Sequence, residues 1–149
     1  MLSWASIVRV GLVQTALGAV VVLCTATINR VMIVELALLA MIPAMLVGIY
    51  HAFQLLRPKW GHGADSHARR SPWVIGGMAV LASGTVGAAL ATAWMETAFW
   101  PGLALAIVSF AMVGLGLGAS ATNLLALLAA HVAPGRKAAA GSLVWILMI

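Results

Sequence analysis

The stretch RPKWGHGADSHARRSPW, residues 57–73, decides how the chain is read. It holds four of the eight lysines and arginines: Arg57, Lys59, Arg69 and Arg70. MLVGIYHAFQLL precedes it and VIGGMAVLASG follows it, and both are almost wholly apolar. A compact basic connector between apolar runs fits a protein that crosses a bilayer several times, because cations gather in the short loops of such proteins. The rest of the chain agrees. Of 149 residues, 64% are hydrophobic and 7% charged, and mean hydropathy is +1.11. A soluble domain carries about 25% charged residues, so this chain lacks a polar coat for water.

The net charge of +5 and pI near 10.8 would suggest nucleic acid in a soluble protein. Here the cations sit in connectors, with no basic face and no stacking platform, so nucleic acid is not an expected partner. The single cysteine, Cys24, lies in the first apolar run and has no internal disulfide partner. It reads as a small apolar residue. The opening MLSWASIVRVG has neither a basic leader region nor an obvious small-residue cleavage site. It is expected to lead into a retained span.

A spanning helix needs roughly 20 apolar residues. On that measure the first span is expected over residues 7–28, followed by a very short turn at Asn29 and Arg30. The second is expected over 31–56, kinked at Pro43, since proline removes a backbone donor. After the polar loop, Pro72 suits the first turn of a helix, and a third span runs over 73–95. Glu96 and Thr97 turn the chain into a fourth span, 99–130, long enough to imply tilt. Its GLGLGAS segment, with Gly114 and Gly118, is expected to admit close helix packing and to form a groove. A loop over 133–137 leads to a fifth apolar segment, 138–149. About 12 residues are too few to span, so the chain is expected to be the N-terminal part of a longer transmembrane domain.

Charge then predicts topology. Arg9, the connector around 57–70, and Arg136 with Lys137 fall on one side; Arg30 with Glu35 and Glu96 falls on the other. The excess of lysine and arginine places the basic side, with the N-terminus, in the cytoplasm.

Within the basic connector, Gly61, Asp65, Arg69 and Arg70 stand in the order of the major facilitator superfamily motif between the second and third spans. Ala68 replaces the glycine often found there. Glycine permits a tight loop, and Asp65 can pair with an arginine or a helix N-terminus, so the four residues form a candidate conformational latch. Beyond the loop, NRVMIVELAL, GLGLGASATNLLALLA and RKAAAGSLVWILMI complete a resemblance to the PucC/LhaA family, from about Ser3 to Ile149. These are the major facilitator-like light-harvesting assembly proteins of purple bacteria. The resemblance implies an all-α membrane protein with a major facilitator-like helical bundle, four spans and the start of a fifth lying in this chain. It implies light-harvesting antenna polypeptides and the reaction-centre complex as partners, and bacteriochlorophyll as a transient cofactor. It also implies residence in the photosynthetic intracytoplasmic inner membrane.

Three residues are candidate bacteriochlorophyll ligands: His51 near the cytoplasmic end of the second span, His131 at the end of the fourth, and Glu35. A neutral imidazole suits the pigment magnesium, and a membrane helix supplies an apolar wall. Each histidine also reads as a helix-to-helix hydrogen-bonding residue. Glu35 also reads as an ion-pair partner of Arg30 around the short turn. Arg9, Gln14 and Asn123 are a candidate polar cluster, with snorkelling of Arg9 the plainer reading. His62 and His67 read as solvated loop residues. Trp4, Trp60, Trp73, Trp94, Trp100 and Trp145 mostly fall at span ends, as an aromatic belt does.

No enzyme is expected. The chain has three acids, no phosphate-binding glycine loop and no zinc-type ligand spacing. Three functions stay open: an assembly factor sheltering antenna helices and pigment, with the GLGLGAS groove and His51 as candidates; a secondary transporter of a small molecule or tetrapyrrole; and a structural subunit of a photosynthetic complex.

Overall fold

The computed structural model describes residues 2–66 and 70–148, with the side chains of 63–66 and 148 outside that description. Among the described residues every regular element is helical. Ser3 opens the first helix as its N-cap, its hydroxyl accepting from the Ser6 amide. That helix, α1, runs Trp4–Val34. It widens into a π-helical stretch over Leu23–Ile28, where the Thr25 hydroxyl donates to the Val21 carbonyl at 2.8 Å. A π insertion stays within a helix, so α1 is continuous.

The expected turn at Asn29 and Arg30 is therefore absent. Neither residue breaks a helix, and both lie within its last helical segment, Asn29–Val34. The chain turns later, at Ala37, which adopts a left-handed φ of 49°. There the Leu36 and Leu38 amides donate to the Val31 and Met32 carbonyls, satisfying acceptors that a helix end leaves open. Because α1 takes up residues assigned to the second span, the next helix is short. This helix, α2, covers Met41–Gln54, 14 residues, or about 21 Å. That is less than the roughly 30 Å of hydrocarbon. Pro43 lies in its first turn, where a missing N–H does not kink a helix.

The polar connector is not a loop throughout. Helix α3 spans Arg57–Ser66. Helix α4, Ser71–Met95, begins with Pro72 in its first turn, and α5 covers Phe99–His131. Both match the expected third and fourth spans to within two residues. After a 3-10 turn at Pro134–Arg136, α6 runs Lys137–Met148.

Among the described residues, three helices are long and apolar enough to cross a membrane: α1, α4 and α5. Of the four full spans expected, these three meet the length, while α2, at 14 residues, and α6, at 12, fall short alone. The protein is a helical membrane protein.

Helices α4 and α5 form an antiparallel hairpin whose axes come very close. A Cβ on Gly77 would lie 2.7 Å from the Ser120 amide, and one on Gly84 would lie 2.9 Å from the Ser109 carbonyl. Fully buried Phe110, Leu81, Leu46, Met32 and Leu17 join α5, α4, α2 and α1 in one core. A second core puts Ile7 of α1 against Ala140 and Val144 of α6, and the Thr15 hydroxyl hydrogen-bonds the Leu147 carbonyl across the same pair.

Candidate functional site

The charges sort to opposite ends of the bundle. At one end the Leu2 amide donates to the His131 carbonyl at 2.9 Å, and the Arg136 guanidinium lies over the Trp4 ring, 5.7 Å from its centre. Helix α3 lies along α5 toward this end, Gly61 facing the Thr122 methyl, with Arg57 and Trp60 against Gly118. The N-terminus of α4 is level with it. At the other end, Glu35 and Glu96 line one cavity of about 320 Å³ together with Thr27 and Thr92. The basic connectors and the chain start thus share an end, and the two glutamates hold the other.

His51 stands on the last turn of α2, exposed, with its ring edge-on to Tyr50 at 4.6 Å between centres. One turn before it, Gly48 has open space where a Cβ would project, and one turn after it Leu55 is 80% exposed. An outward imidazole between a bare turn and an apolar side chain can take a flat macrocycle as an axial ligand. These residues fit bacteriochlorophyll. His131 is also exposed, and its Nδ1 lies 3.0 Å from the Leu127 carbonyl. If Nδ1 carries the proton, as that contact requires, Nε2 presents its lone pair outward.

Glu35 caps the C-terminus of α1 at the far end from both histidines, so the three candidate ligands do not converge. Among the described residues, no group of three or more His, Cys, Asp or Glu side chains is placed to hold a metal ion. Arg30 and Glu35, both exposed, form no ion pair with each other, which corrects that reading. Glu35 instead lines the same cavity as Glu96, because α1 continues past Arg30 and ends beside α4. The Arg9, Gln14 and Asn123 cluster is also not formed as expected. Gln14 and Asn123 are buried, while Arg9 is exposed. Asn123 donates its amide N–H to the Ala119 carbonyl at 2.8 Å.

Of the latch residues, Gly61 lies in α3 and Arg70 is the N-cap of α4. Asp65 is in the last turn of α3, its side chain outside the described residues, and Arg69 lies outside them altogether, as does His67. His62 is exposed on α3 rather than in a loop.

The GLGLGAS segment is packed closely at its glycines and open at its edge. Gly114 abuts the Tyr50 carbonyl of α2, Gly116 abuts Gly77 and Leu81 of α4, and Gly118 abuts α3. Its close approach is used within the chain. Beside that packing, Leu115, Gly116 and Ala119 line an open groove. It has a volume of about 400 Å³, with the Trp60 and Trp73 rings as walls and Gly76, Gly77, Gly116 and Val80 beneath. The two indoles tilt at 48° with centres 5.8 Å apart. The signals for it were GLGLGAS, read as a groove, and the two tryptophans, read only as a belt; the Gly76–Gly77 doublet went unremarked.

The family described as PUCC protein matches residues 27–149. The "Bacteriochlorophyll synthase 44.5 kDa chain" of Rhodobacter capsulatus is 48% identical over 148 residues, covering 99% of this chain and 35% of that protein. "Protein PucC" of Cereibacter sphaeroides is 35% identical over 144 residues, covering 86% of this chain and 30% of that protein. "Protein PucC" of Rhodovulum sulfidophilum is 35% identical over 150 residues, covering 86% and 31%. The chain thus spans about a third of the length of the curated relatives it matches. No solved structure matches. With the family match running from the end of α1 through α6, and a relative near half identical over almost all of the chain, this protein belongs to the PUCC protein family.

Proposed function

We propose that this chain is part of a non-catalytic assembly factor for light-harvesting antenna complexes, one that holds antenna polypeptides and passes bacteriochlorophyll to them within the membrane. The observation that carries this reading is family membership, with bacteriochlorophyll in the printed name of a relative matched over 99% of the chain. The word synthase in that name belongs to that protein. His51 makes the reading concrete. Bacteriochlorophyll supplies the light-absorbing macrocycle and its magnesium; the imidazole would hold the magnesium while Leu55 and the bare face at Gly48 receive the ring. His131, with Nε2 outward, is the second position for such a ligand. Glu35 can serve only separately, at the acidic end.

The physical logic is exposure. A free pigment and an unassembled antenna helix both present apolar faces, and α1, α2, α4 and α5 carry exposed large apolar side chains that can meet them, among them Val22, Met41, Leu90 and Trp100. In this reading the basic end faces the cytoplasm of the inner photosynthetic membrane, and Gly61, Asp65, Arg69 and Arg70 act as a conformational latch.

The test is to purify the full-length protein from its own membranes and record its near-infrared absorption and co-purifying polypeptides. We expect bacteriochlorophyll bands together with antenna subunits, and loss of at least about half of the pigment in His51→Leu at unchanged protein yield, since coordination is lost while an exposed side chain changes stability by only about 0.5 kcal/mol. Unchanged pigment in that variant removes His51 from the role. Antenna subunits without pigment favour a purely structural subunit. Secondary transport is a second reading, favoured by the discontinuous crossing of α2, since broken helices mark substrate sites in transporters; flux of a tetrapyrrole into liposomes, without antenna subunits, would establish it.

A further inference from the structure

The groove between α3, α4 and α5 joins two chemistries that rarely meet by chance. Its floor is glycine and its walls are indole, so its interior is largely apolar: Gly76, Gly77, Gly116 and Val80 below Trp60 and Trp73, with the buried Trp60 Nε1–H lacking a hydrogen-bond partner among the described residues. Val80 is 37% exposed and lies in the groove, so the groove is open to the bilayer. Cations, by contrast, stand next to its wall residues along the chain. Arg57 and Lys59 are exposed on α3, three and one residues before the Trp60 wall, and Arg70 is the N-cap of α4, two residues before Pro72 on the rim. The α4 N-terminus, which receives no side-chain cap, adds its own partial positive charge at the same level.

We propose that this groove binds an anionic phospholipid of the surrounding leaflet. One acyl chain lies along the glycine floor, the tryptophans clasp it at the interface, and the phosphate sits among Arg57, Lys59 and the start of α4. Charge complementarity selects this occupant. A neutral hydrocarbon chain would use the floor and bring no counter-charge to Lys59. An antenna helix would fill a wider face and bring no phosphate to that depth. Basic pockets between membrane helices on the cytoplasmic side recognise lipid headgroups by this combination. The site is separate from His51 and needs no pigment, so the proposal stands or falls apart from the assembly reading.

The experiment uses the full-length protein in mild detergent, offered palmitoyl-oleoyl phosphatidylglycerol or phosphatidylcholine and examined by native mass spectrometry. The two lipids share tails and differ in headgroup charge. We expect retained phosphatidylglycerol with a preference of roughly tenfold. Gly76→Leu is the filling variant. Nothing lies within 4 Å of a Cβ there, so the new side chain enters the groove without striking backbone, and the lipid adduct should disappear at an unchanged unfolding midpoint. Lys59→Glu is the charge variant. It should keep a lipid adduct while the preference falls roughly fivefold or more. Equal retention of the two lipids by the unaltered protein overturns the proposal. So does phosphatidylglycerol that survives Gly76→Leu, or a second copy of the chain found in the groove in place of lipid.

Discussion

Gly116 and Gly141 are both mid-helix glycines with opposite reasons for being there. A Cβ on Gly116 would strike the Gly77 carbonyl and the Leu81 amide of α4, whereas one on Gly141 meets nothing within 4 Å. Gly116→Ala must push α4 from α5 and is expected to destabilise by about 2 kcal/mol, in the range for overpacking. Gly141→Ala should stabilise α6 by up to about 1 kcal/mol, the helix propensity difference. Reversible unfolding of the full-length protein in mixed detergent checks both; equal effects of the two variants would contradict the packing described. From sequence alone both are glycines in apolar helices, and only the opposing backbone distinguishes them. His51 was legible as a candidate because its residue type and place in an apolar run are local facts. Its exposure, and the bare turn at Gly48 beneath it, are not.

Among the elements, α1 departs most from expectation. Polar residues at 29 and 30 suggested a turn, yet a polar residue near the bilayer surface does not end a helix; a left-handed residue does. Ala37 supplies that residue with φ 49°, a conformation that costs an L side chain roughly 1–2 kcal/mol. Two substitutions therefore act in opposite directions. Arg30→Pro interrupts α1 and should destabilise by about 3 kcal/mol, while Ala37→Gly relieves the turn and should stabilise by up to about 1 kcal/mol. The same unfolding measurement decides it. If proline at 30 were tolerated and glycine at 37 harmful, the turn would lie at 29 and 30 after all. By contrast α4 and α5 were readable nearly to the residue, since Pro72 and the Glu96–Thr97 pair are local punctuation.

For the whole molecule, the bundle has a basic end and an acidic end. Single cysteines placed at Lys59 and Lys137 should react with an impermeant thiol reagent from one side of the membrane, and cysteines at Glu35 and Glu96 from the other. The native background suits the experiment, because Cys24 is the one cysteine and is fully buried. Labelling of positions 59 and 137 from opposite sides would break the parallel arrangement of α1 and α6 and the hairpin of α4 and α5 together. Sequence by itself determined that lipid is the solvent, that two long spans face each other across a short turn at Glu96 and Thr97, and that the cations other than Arg30 share an end. Those properties are sums over neighbouring residues and survive any arrangement of the helices. Tertiary structure alone decided where α1 stops, which GLGLGAS residues pack internally and which line a groove, that Glu35 shares a cavity with Glu96 instead of pairing with Arg30, and that the groove lies beneath Trp60 and Trp73. Each of those depends on which backbone stands opposite a residue distant in the chain, and no local pattern of hydropathy or charge encodes that distance.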